Sequence, residues 1–83
     1  MDTTNTVLYA NFNRIGDFYT LLGRAVWGPD RPAPTNLDGL ADLLRESHVG
    51  RVDVHGSWTV DARNTERLEE VFDDLGVELV LPR

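Results

Sequence analysis

Three prolines fall within seven residues in Pro29-Asp-Arg-Pro-Ala-Pro-Thr35. Each ring holds φ at about −65°, removes a backbone N–H and biases the preceding residue away from helix. The segment can therefore be neither a helix nor a central strand, and it divides the chain with a stiff loop. Before it, Val7 to Phe12 is an apolar, β-prone run that predicts a strand. Ile15, Phe18, Tyr19, Leu22, Ala25 and Val26 then form one stripe of a helix that Gly28-Pro29 stops.

After the loop, Thr35 or Asn36 is placed to cap a second helix, with Leu37, Leu40, Ala41 and Leu44 on one face. Asp38, Asp42, Arg45 and Glu46 fall on the other, and His48 sits at its end, where a cation suits the helix dipole. Arg51-Val-Asp-Val-His55 alternates with period 2, which turns Val52 and Val54 toward a core and Arg51, Asp53 and His55 away from it. A third helix follows, capped by Asp61 or Asn64, buried through Leu68, Val71, Phe72 and Leu75, and ended by Gly76. Val77 to Leu81 reads as the last strand.

Strands joined through helices are most simply parallel, with right-handed crossovers. The expected fold is a two-layer α/β domain spanning residues 1–83, with a three-stranded parallel sheet in the order 1-2-3 and helices on one face. A length of 83 residues with 41% apolar content suits one modest core, and there is no internal repeat.

Fourteen acidic residues against eight basic ones leave a net charge of −6, so a nucleic-acid backbone would repel the chain and a basic protein would attract it. All the basic residues are Arg, a bias that fits a GC-rich bacterial genome. With no cysteine, neither a disulfide framework nor a Cys-based metal site is available, and no motif calls for a cofactor. The start, Met-Asp-Thr-Thr-Asn-Thr, has no signal-peptide character, and no apolar run reaches membrane-spanning length. The expectation is a cytoplasmic protein without membrane contact, monomeric when free.

Asp38, Asp42 and Glu46 recur every four residues and stack along one line of the second helix. Such a row disfavours the helix by ~0.2–0.5 kcal/mol per pair. A solvated face explains it equally well, since Asp38 gains from the helix dipole and Arg45 stands three residues from Asp42. The segment Asn36-Leu-Asp-Gly-Leu-Ala-Asp42-Leu-Leu, however, resembles the second-helix signature of the barstar family of ribonuclease inhibitors, in which Asn-Leu-Asp is followed four residues later by another Asp. The order of elements is similar along nearly the whole chain, including Phe-Tyr-x-Leu-Leu in the first helix and a Trp after the middle strand.

The resemblance implies an inhibitor of a small basic microbial ribonuclease. Asp38 and Asp42 would enter the enzyme's active site in place of substrate phosphates, with Thr35, Asn36, Ala41 and Glu46 around them and Asp74 or Asp73 contributing from the last helix. Two departures bear on affinity or on the choice of target. The family's loop before Asn-Leu-Asp carries aromatics and a Gly, whereas Pro29 to Thr35 has no aromatic, and the Trp that often precedes the second Asp is Ala41 here. Both changes remove rigid contact area. The rivals are a regulatory or immunity protein for another basic target, an orphan domain without a ribonuclease, and a metal-assisted hydrolase built on Asp53 and His55. The last needs more ligands than this stretch supplies.

Overall fold

In the computed structural model, which describes residues 4–82, the elements run β1 (Thr4–Phe12), α1 (Ile15–Trp27), α2 (Leu37–Ser47), β2 (Val49–Trp58), α3 (Ala62–Asp74) and β3 (Glu78–Val80). The strands form one parallel sheet in the order β1-β2-β3, as expected. Leu8, Phe12, Val52 and Val54 are buried under the helices, whereas Val7, Tyr9, Arg51 and His55 on alternate positions are exposed. All three helices therefore cover one face. The other stays open, which is unusual for a parallel sheet and explains why the strands alternate instead of being apolar throughout.

β1 begins at Thr4, earlier than the apolar run predicts, because pairing with β2 from Thr4↔Val49 to Phe12↔Trp58 draws in the polar Thr4-Asn-Thr6 stretch. β3 is shorter than expected. It pairs only with Arg51 to Asp53, and Pro82 beyond it has no N–H to extend the ladder.

The core joins Phe12 and Phe18 to Leu22, Leu40, Leu43, Leu68 and Phe72, all but inaccessible to water. Phe18 meets Phe12, Trp58 and Phe72 at ring-centroid distances of 5.9, 5.6 and 6.2 Å, with edge-on or tilted planes. Trp58 occupies the core edge, and its Nε1 donates to Thr65 Oγ1 at 3.0 Å. Val71 and Leu75, expected in the stripe of α3, are only half-buried, because Leu68 and Phe72 take its inward line.

Asp61 caps α3, accepting from the Asn64 backbone N–H at 3.1 Å and from its side-chain amide at 2.8 Å. Those bonds hold its carboxyl below the usual carboxylate range. The cap's contribution is thus present at neutral pH and is lost only as pH falls through that lowered pKa.

α2 ends on His48, which takes the left-handed conformation at φ 55°. That conformation is unfavourable for a residue with a Cβ. His48→Gly is expected to stabilise the protein by about 0.5–1 kcal/mol after allowing for the entropy glycine gains when unfolded. Chemical denaturation would detect this as a higher midpoint at unchanged slope.

Candidate functional site

The first turn of α2 is organised by its own sequence. Asn36, not Thr35, is the N-cap: its Oδ1 accepts from the Gly39 N–H at 2.8 Å. This fixes where the helix starts and directs Asp38 into the first turn, exposed, where backbone N–H groups and the dipole favour an anion. Asp38 has no ion-pair partner among the described residues. Asp42 lies one turn on, about 6 Å along the axis. It is also exposed, and Arg45 reaches its Oδ1 at 3.2 Å. Both partners of that pair are mostly solvated, so it restrains Asp42 weakly.

Glu46, the third carboxylate of the row, is engaged differently. Arg31 from the proline loop bonds its Oε2 at 2.9 Å, and the same guanidinium lies 3.7 Å above the Trp27 ring. A chain of contacts thus runs from the end of α1 through the loop to the last turn of α2. Glu46, expected at the partner surface, is exposed there and also ties the loop to α2. Trp27, which sequence alone does not place, forms the floor of this clamp, and its Nε1 has no hydrogen-bond partner among the described residues.

A second fastening lies at the loop's other end. Gly23 exposes bare helix backbone where the loop crosses α1, and a Cβ there would stand 2.7 Å from Ala33 Cβ and 2.9 Å from Pro34 Cδ. Pro34 is buried as a result. The proline segment is therefore held at two points and delivers the chain to Asn36 in one direction.

The structure brings Thr35, Asn36, Asp38 and Asp42 together on the exposed start of α2 and the loop leading into it. Ala41, expected at the partner surface, is a correction: it is only 9% exposed and packs among the buried residues of α2. An alanine four residues after Leu37 and three before Leu44 lies beside both on the helical wheel and turns inward with them. Asp74 is exposed in the last turn of α3, joined among the described residues by no hydrogen bond or ion pair to α2, and Asp73 lines a separate acidic groove with Glu69, Glu70 and Glu78.

On the open sheet face, Asp53 is gripped by Arg51 at 2.9 Å, and Arg51 also reaches Glu78 on β3 at 3.0 Å. These anions hold the Arg51 guanidinium pKa above its ordinary value. His55 stacks on Tyr9, with centroids 5.0 Å apart and planes 17° apart. Asp53 and His55 are thus committed to different neighbours, and no group of three or more metal-ligating side chains occurs among the described residues.

Among the described residues, no helix is long and apolar enough to cross a membrane. In comparisons with protein-family models, with curated proteins and with solved structures, nothing matches this chain.

Proposed function

We propose that this protein is a barstar-like inhibitor that blocks the active site of a small basic microbial ribonuclease in the cytoplasm of the bacterial cell that makes the enzyme. The observation that carries this reading is the pair Asp38 and Asp42, one turn apart and solvent-exposed on an N-capped helix. One has no cationic partner among the described residues, and the other has only an exposed, easily displaced one. A cationic cleft built for successive phosphates meets in this pair two anions at a fixed spacing, with little ordering left to do on binding. The doubly fastened proline loop supports the same reading, because it gives the surface beside the carboxylates a fixed shape. Inhibition is by occlusion, with no chemical step.

The observation that favours a different basic target is the loop itself. It carries no aromatic, and Ala41 is turned into the core. The surface beside the two carboxylates then presents Pro32, Thr35 and Asn36 and no aromatic anchor, which suits an enzyme surface other than the one the family's aromatic loops fit.

The test is a titration into an activity assay of a small basic guanyl-specific microbial ribonuclease at two salt concentrations. Inhibition complete at equimolar protein, with association slowing as salt rises, is the expected result. Full activity at micromolar protein would reject that enzyme class as the target.

A further inference from the structure

β1 is a long edge strand that lacks the usual protections. Its residues Thr4–Phe12 contain no charge and no proline, and the register shift in its pairing lies only at Thr4/Asn5. Thr4 N–H donates to His48 and Phe12 C=O accepts from Thr59 N–H, so the even-numbered residues direct their backbone groups toward β2. Alternation along a strand then leaves Asn5, Val7, Tyr9 and Asn11 presenting N–H and C=O at the open edge. Val7 and Tyr9 are 45% and 76% exposed.

Beside this edge, α1 leaves a shallow, mainly apolar groove. Leu21 and Arg24 border it both where it faces Val7 to Tyr9 and where it faces Ala10 to Phe12, and Asp17 closes one end. Asp17 and Arg24 form no ion pair among the described residues. They are seven residues, or two turns, apart on one side of α1, with Leu21 near their midpoint.

We infer that this edge pairs with the same edge of a second copy. The strands would run antiparallel about a two-fold axis near Tyr9 and Leu21, giving a continuous six-stranded sheet. The charges select this occupant over a foreign strand. The two-fold brings Leu21 against its counterpart and sets Asp17 of each copy beside Arg24 of the other, so two unused charges become two symmetric ion pairs. Free backbone groups pair at the same time, and the apolar groove is covered. None of the α2 residues in the proposed inhibitory surface lines the groove, so this inference stands apart from that reading. It replaces the expectation of a free monomer.

Sedimentation equilibrium of the full chain at physiological salt, where repulsion between two chains of charge −6 is largely screened, tests the inference. The parent should show a concentration-dependent dimer. Asp17→Arg and Arg24→Asp should each raise the dissociation constant at least about tenfold by setting like charges together, and the double swap should restore it. Val7→Pro, which removes only an outward N–H, should also weaken the dimer. A parent that stays monomeric to about 1 mM, or a double swap no tighter than either single variant, overturns the inference.

Discussion

Gly56→Ala is expected to destabilise the fold by ~3–5 kcal/mol, which for a domain of this size lowers Tm by about 15 °C or more. Gly56 adopts φ 112°, a region closed to side chains, and pairs directly with Ala10 in the β1–β2 ladder. A Cβ at this position would stand 2.0 Å from the Ala10 carbonyl oxygen and 2.8 Å from its carbonyl carbon. Those are backbone atoms within a nine-residue strand, so neither rotamer adjustment nor a small side-chain shift relieves the overlap. The ladder would have to open near the point where β2 carries Trp58 into the aromatic cluster, and core packing would be lost along with hydrogen bonds. Gly16 is the control: a Cβ there meets nothing within 4 Å, so Gly16→Ala should leave Tm unchanged or higher. Thermal unfolding followed by circular dichroism reads both, and a Gly56→Ala midpoint within a few degrees of the parent would refute the account.

The contrast between Gly56 and the alternating stretch beside it shows which parts of this fold are legible in the residues. Arg51 to His55 announces a strand with one wet face, because burial on one side only imposes period 2. Most of the stripes of α1, α2 and α3, the caps to within two candidates each and the stop at Gly76 are legible for the same reason: each depends on neighbours three or four residues away. The extension of β1 back to Thr4 depends instead on a partner strand some 45 residues on, and polar Thr-Asn-Thr gives no local sign of it. The candidate site divides in the same way. Its carboxylate spacing is local, but the tie between Arg31 and Glu46 crosses fifteen residues, and Trp27 beneath it is linked to them only through space. Period alone assigns Glu46 to the same outward line as Asp38 and Asp42. The loop's return to α2 then gives it a different role.

That difference should appear in the energetics of inhibition. Asp42→Ala is expected to weaken binding to a responsive ribonuclease most and Asp38→Ala next, each by about thirtyfold or more (~2 kcal/mol), as for charges desolvated at the centre of an interface. The loss should appear mainly in a faster dissociation rate, since truncation strands the enzyme's cation in a buried site without its counter-charge. Neither change should alter folding stability much, because Asp38 has no ion-pair partner among the described residues and the Asp42–Arg45 pair is mostly solvated. Glu46→Ala should act indirectly: it releases Arg31 from α2, so its effect on affinity comes through a looser loop and is smaller than that of either aspartate. Combining Asp42→Ala with neutralisation of an enzyme active-site cation in a double-mutant cycle separates contact from indirect effects. A coupling energy near zero, or single variants that inhibit as well as the parent, would place the inhibitory surface somewhere other than the start of α2.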